Sequence, residues 1–341
     1  MPEPEVSVGS RLRSWAYALR TTNPPPDGPI DAVTRWLVVT RAALLPMTLF
    51  SGLVAALLAV GGHDRPGLDV RWLVLAVLGI TLAHTANNLM NDLYDTKVGT
   101  DSADYPRALY APHPVLSGLV TRRTLSLAIL LVNVADLAIL VTLAWARGWP
   151  VVAFALSGFA LSVAYTAPPL RLKKRGLGEP DVFIVWGPLM VCGTYYSAVG
   201  AVGWAVVLAS LPYGLLCTTV LMGKHIDKIP YDEPLGIRTL PVLLGEARAR
   251  VVTLAMMVGF YVLVAAAVSV GAMPWPALVV VLALPRLAKV WPYFRRPRPE
   301  EPPPKFPVWP LWYAALAWLH VRQAGALLVV GLAIGALLRA L

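Results

Sequence analysis

The chain has 341 residues, of which 57% are hydrophobic and only 14% charged, with a formal net charge of +10. A soluble domain carries about 25% charged residues, so this balance excludes an ordinary water-soluble fold. Its two cysteines, Cys192 and Cys217, both lie in apolar segments and imply neither a disulfide framework nor a zinc site.

Residues 1–35 are polar, proline-rich and mildly basic, without the apolar core of a signal peptide. They read as a cytoplasmic tail preceding one membrane domain over 36–341. Hydropathy then predicts spans at about 36–61, 71–92, 125–146, 150–167, 181–201, 204–223, 251–271, 274–293 and 322–341, near the roughly 20 residues a crossing helix needs. The aromatic segment 309–321 either extends the last span or lies in the interface.

Charge tests this layout independently. The N-terminal tail and loops 2–3, 4–5, 6–7 and 8–9 are rich in Lys and Arg, whereas the alternate loops are nearly empty of them. This alternation predicts a multi-pass integral membrane protein with a cytoplasmic N-terminus, cytoplasmic basic loops and an outside C-terminus. It also accounts for most of the +10, so the bilayer and not nucleic acid is the expected partner.

Two acidic segments stand out on the cytoplasmic side. The first, NNLMNDLYDTKVGTD over residues 87–101, places Asn88, Asp92 and Asp95 on one helical face, with Asp101 following a turn at Gly99. Converging carboxylates at a helix end suit Mg²⁺, which takes one or two of them and completes its shell with water and phosphate oxygens. Lys97 is placed to meet phosphate as a point charge, and Arg107 adds to the same basic loop. The second, GKHIDKIPYDEPLGIRTLPVLLGE over 223–246, pairs Asp227 and Asp232 with Lys224, Lys228 and Arg238. Acids and bases together at one membrane face fit a metal–diphosphate ligand. Pro230 predicts a break in any helix here.

Polar residues at span depth are costly and usually functional, which draws attention to Asn87 and Asn88. Asn133 and Asp136, one turn apart in the third span, either line a cavity or hydrogen-bond a neighbouring helix, the second being the preferred reading. Arg41 either meets an acceptor or snorkels to the interface. His225 remains open among acceptor-site base, metal neighbour and plain loop residue, and Glu179 between helix capping and acceptor binding.

On these residues the sequence resembles the UbiA superfamily of intramembrane prenyltransferases. NDLYDTKVGTD is similar to that family's first Asp-rich motif. Residues 165–196, YTAPPLRLKKRGLGEPDVFIVWGPLMVCGTYY, and 236–246, GIRTLPVLLGE, resemble the branch that prenylates 1,4-dihydroxy-2-naphthoate for menaquinone. The resemblance implies an all-α membrane fold of about nine helices around a central cavity. It implies Mg²⁺ sites at Asn88, Asp92, Asp95 and Asp101 and at Asp227 and Asp232, with Lys97, Lys173 and Arg238 on the diphosphate. Tyr165 matches a tyrosine of the family's YTxPP segment. In one departure, Lys228 stands where the branch has an aspartate, and Asp227 lies one residue early.

The reaction implied is Mg²⁺-dependent transfer of a prenyl group from a prenyl diphosphate to an electron-rich aromatic acceptor. A dry pocket protects the allylic cation, and Tyr94, Tyr165, Trp186, Tyr195, Tyr196 and Tyr213 are candidates to stabilise it by cation–π attraction. Two alternatives stand: a terpene cyclase that quenches the cation internally, suggested by the altered second motif, and a transporter or binding protein with a midplane site.

Overall fold

The structure, a computed structural model, describes residues 7–26, 28, 30–61, 68–97, 104–304, 306 and 308–341. Among these residues the regular structure is entirely helical, and nine helical segments are long and apolar enough to cross a membrane.

Two short helices precede the first span: α1 (Val8–Thr21) and α2 (Ala32–Val39). The first span is α3 (Leu45–Gly61), with a 3-10 turn at Ala42–Leu44. It begins later than the expected residue 36, because Arg41 adopts a left-handed backbone (φ 55°) that separates α2 from it. The second span, α4 (Val70–Lys97), runs past residue 92, so the first acidic segment is helical through Asp95. After the short α5 (Pro106–Tyr110) come two spans, α6 (Arg122–Arg147) and α7 (Trp149–Thr166). The fifth span joins α8 (Gly178–Ile184) to α9 (Met190–Val199) through a π-turn containing Pro188.

The sixth span, α10 (Trp204–Asp232), continues through Pro230 without a break. Ile226 and Ile229 pack with Leu254 and Met257, and that packing overrides the local cost of proline. A short α11 (Leu240–Leu244) precedes α12 (Glu246–Ser269), a 3-10 stretch (Trp275–Ala283) leading into α13 (Leu284–Phe294), and α14 (Trp312–Ala340). The aromatic segment from Trp312 onward is thus the first part of the last span.

The main core forms where α3, α9, α10, α12 and α14 meet, around Val54, Val191, Tyr213, Phe260 and Leu328. By contrast, α6 and α7 present Leu127, Leu130, Leu137 and Phe159 outward, as helices facing lipid do. Trp145, Trp149, Trp204 and Trp275 are all strongly exposed at the helix ends opposite the basic loops, the position of a membrane-interface aromatic belt.

Close helix approach positions the site. A Cβ on Gly214 would lie 2.6 Å from the Phe183 carbonyl oxygen and 2.9 Å from the Gly187 Cα, so α10 meets the π-turn backbone to backbone. Small residues permit this within a membrane. Gly223 similarly admits the Tyr313 backbone against α10.

Candidate functional site

A cavity of about 550 Å³ opens between α4, α6, α7, α9 and α10. Along α4 its wall extends from Ala76 to Asp95, about 28 Å of helix at 1.5 Å per residue. The deep part is apolar, lined by residues such as Leu140, Leu143, Val151 and Phe154. The end near the basic loops gathers Arg41, Arg107, Lys173, Lys224 and Lys228. A greasy tunnel with a cationic end suits a ligand with an apolar tail and an anionic head.

The three candidates on α4 part company. Asn88 and Asp95, seven residues apart, both line the cavity. Asn88 Nδ2 donates to the Thr40 carbonyl at 3.1 Å. Asp95 Oδ2 pairs with the Lys173 ammonium, while its buried Oδ1 has no hydrogen-bond partner among the described residues. Asp92, turned away by the helical rotation between positions 92 and 95, is fully buried. Arg107 Nε and Nη2 donate to its two oxygens at 2.8 and 2.9 Å, and Arg41 Nη2 donates to Oδ1. Such a bidentate guanidinium grip is the strong form of ion pair. The geometry therefore leaves Asp92 outside the cavity wall, already neutralised by arginines. Arg41, expected at an acceptor or at the interface, is 5% exposed and ion-paired. Asp101 lies outside the described residues.

The second acidic segment divides in the same way. Asp227 points at α14: its oxygens accept from the Tyr313 and Ala314 backbone N–H groups at 3.0 and 2.9 Å. It caps that helix, where a carboxylate meets the positive end of the dipole. It does not line the cavity. Lys228 does, and its Nζ lies 3.5 Å from Asp232 Oδ1 and over the Tyr105 ring at 4.5 Å. Asp232 sits one layer behind the wall, accepting from the Tyr105 hydroxyl at 2.5 Å, with its buried Oδ2 unpaired among the described residues.

Other expectations also sort by position. Lys224, His225, Tyr165 and Trp186 line the cavity. Lys97 and Arg238 are exposed at the surface and do not; Lys97 instead lies over the Tyr94 ring. Tyr213 is buried in the core, donating to the Met47 carbonyl at 2.8 Å. Asn133 donates to Ile129 of its own helix at 2.8 Å, and both it and Asp136 face the cavity, which is the cavity-lining alternative and not the preferred bond to a neighbouring helix. Glu179 holds His225 Nδ1 at 2.7 Å, buried beside the cavity.

Tyr105, Tyr110, Asn91 and Asp181 also line the cavity and were not singled out by the sequence. Asp181, an acid within the fifth span, and Asn91, an amide within the second, carried the signal of a polar residue at span depth. At Tyr110, burial raises the phenol pKa, but Arg41, Lys224 and Arg107 outweigh it and hold it below the ordinary value. The field at this end of the cavity is positive.

A divalent cation can be tested against these donors. Among the described residues no three His, Cys, Asp or Glu side chains form a ready-made cluster. The unpaired Asp95 oxygen at the wall, with Asn88 on the same helix face, is nonetheless a reasonable donor set for Mg²⁺, which needs few protein ligands when phosphate oxygens supply the rest.

The UbiA prenyltransferase family profile matches residues 48–316. The chain belongs to the UbiA prenyltransferase family. It is 27% identical over 199 residues to a 2-carboxy-1,4-naphthoquinone phytyltransferase of Synechocystis, covering 58% of this chain and 62% of that protein. It is likewise 27% identical over 268 residues to a 1,4-dihydroxy-2-naphthoate octaprenyltransferase of Haemophilus influenzae, covering 76% and 85%. Among solved structures, a digeranylgeranylglyceryl phosphate synthase superposes with a TM-score of 0.58 at 12% identity, over 89% of this chain and 98% of that one. A UbiA homolog from Archaeoglobus fulgidus, solved with GPP and Mg²⁺, superposes at 0.51 with 16% identity, over 86% and 99%. The shared UbiA fold is the all-helical bundle around the cavity described above.

Proposed function

We propose that this UbiA-family chain transfers a prenyl group from a prenyl diphosphate to an aromatic, naphthoate-type acceptor within the membrane. One observation carries the reading: a single cavity joins a cluster of five cationic side chains to a long apolar tunnel. The diphosphate belongs at the cationic end and the prenyl tail in the tunnel.

In this reading Lys173, Lys224 and Lys228 hold the diphosphate and lower the cost of its departure. Arg41 and Arg107 stay on Asp92 and add to the positive field. Asp95, with Asn88, would hold Mg²⁺, which supplies Lewis-acid neutralisation of the leaving group. Asp232, behind Lys228 and Tyr105, sets the position of both. Tyr165 and Trp186, both on the cavity wall, are the aromatic side chains that would stabilise the allylic cation, and the apolar wall excludes water from it. His225, oriented by Glu179, is the polar contact for the acceptor. The names of the naphthoate prenyltransferase relatives support the acceptor class, and the basic loops support a cytoplasmic site with the N-terminus inside and the C-terminus outside.

The test is to incubate purified protein with prenyl diphosphates of increasing length, with and without 1,4-dihydroxy-2-naphthoate and Mg²⁺. Prenylated naphthoate supports the proposal. A cyclic hydrocarbon or alcohol formed without acceptor means a cyclase, and no diphosphate release with any donor overturns enzymatic prenyl chemistry.

A further inference from the structure

Helix α1 is amphipathic in the reverse sense to a helix docked only on protein. Its protein-facing side carries Ser14 and Ala18, both buried. Its outward side carries Val8, Leu12 and Leu19, which are 73%, 53% and 48% exposed, with Ala16 exposed between them. Positions 8, 12, 16 and 19 form one stripe at helical spacing. Exposed Arg11 flanks it on one side and exposed Arg13 and Arg20 on the other. A lone exposed leucine needs no explanation; a continuous apolar stripe along three turns does.

The helix is held firmly in place. Trp15 Nε1 donates to both oxygens of Asp31 at 3.1 and 3.0 Å, and the same carboxylate caps α2 by accepting from Thr34 N at 2.7 Å. Asn23 Nδ2 donates to the Tyr110 carbonyl at 3.0 Å, tying the α1–α2 connection to the helix that carries Arg107. Trp36 of α2 packs on a cluster that includes Leu89 of α4 and Leu125 of α6. Leu125 lies in the first turns of α6, so α2 stands at the surface end of that lipid-facing helix.

We propose that α1 is an in-plane interfacial helix whose apolar stripe enters the boundary of the bilayer while Arg11, Arg13 and Arg20 bind anionic phospholipid headgroups. Apolar residues on one face with arginines along its edges are the pattern of a monotopic helix, and the arginines complement an anionic lipid surface. A second copy of the chain is the poorer occupant, because pairing two stripes would bring the flanking arginines of both copies together. Through Asn23 on Tyr110, this lipid-bound helix braces the cationic end of the cavity.

The test uses the full chain in nanodiscs holding a single copy, with Leu12→Cys or Leu19→Cys carrying an environment-sensitive fluorophore. Cys192 and Cys217 are buried and stay unlabelled under native conditions. In discs of phosphatidylcholine with phosphatidylglycerol, spin-labelled lipid should quench the label severalfold more than aqueous iodide does. A label at Glu300→Cys should show the opposite preference. Replacing Arg11, Arg13 and Arg20 with Gln should cut the lipid quenching severalfold, with thermal unfolding unchanged. The proposal is overturned if iodide quenches positions 12 and 19 as strongly as position 300 in every lipid. It is equally overturned if protection appears only in discs holding two copies.

Discussion

Arg107 donates to both oxygens of Asp92, at 2.8 and 2.9 Å, and so closes the first carboxylate of the first acidic motif off from the cavity. Asp95, three residues later on the same helix, keeps an unpaired oxygen at the wall. Two aspartates of one motif thus hold different positions, and substitutions should separate them.

Asp92→Ala removes one partner of a buried ion pair and leaves Arg41 and Arg107 uncompensated, a loss of about 3–5 kcal/mol. The variant should melt well below the wild type in detergent. An unchanged melting temperature would show that the Arg107 contact does not support the fold.

Asp95→Asn keeps the shape of the side chain and removes its charge. Melting should fall less than in Asp92→Ala, because the amide oxygen still accepts from Lys173, while diphosphate release falls on the order of 100-fold, as when one charge-stabilising group is lost from an active site. Chelation of the wild type should abolish release and added Mg²⁺ restore it. Full turnover in a chelated sample would refute the metal assignment.

Asp227 and Lys228 are adjacent in sequence and opposite in role. Asp227→Ala removes the cap of α14 and should cost about 1–2 kcal/mol of stability, with KM for the donor unchanged in the protein that remains folded. Lys228→Ala should raise the donor KM and leave melting alone. A reversal of these two phenotypes in steady-state kinetics would move Asp227 into the site.

Gly214→Ala should be severely destabilising. Its Cβ would meet the Phe183 carbonyl at 2.6 Å, and overpacking against backbone costs about 1–3 kcal/mol or more. Normal expression and melting would contradict the close contact of α10 with the π-turn.

Topology is testable by side-specific labelling in sealed vesicles. A cysteine at Glu300 should react only from the cytoplasmic side, and one at Trp149 only from outside. Labelling of both from the same side would refute the alternation of basic loops as a guide to orientation.

The sequence by itself determined the solvent, the helical class and the approximate spans, because hydrophobic length and the side preference of Lys and Arg act locally along the chain. It also located the acidic and basic residues near the site. Only the tertiary structure decided which of them face the cavity. Asp92, Asp95, Asp227 and Asp232 are alike in type, yet each takes a partner from another element: Arg107 for Asp92, Lys173 for Asp95, the Tyr313 and Ala314 amides for Asp227, and Tyr105, beside its own-helix neighbour Lys228, for Asp232. A carboxylate's role depends on what neutralises it in a low-dielectric interior, and the chain supplies that neighbour only when distant helices pack. Arg41 is the clearest case: its inward course follows from a left-handed turn between α2 and α3 and from the burial of Asp92 beside it, neither of which hydropathy encodes.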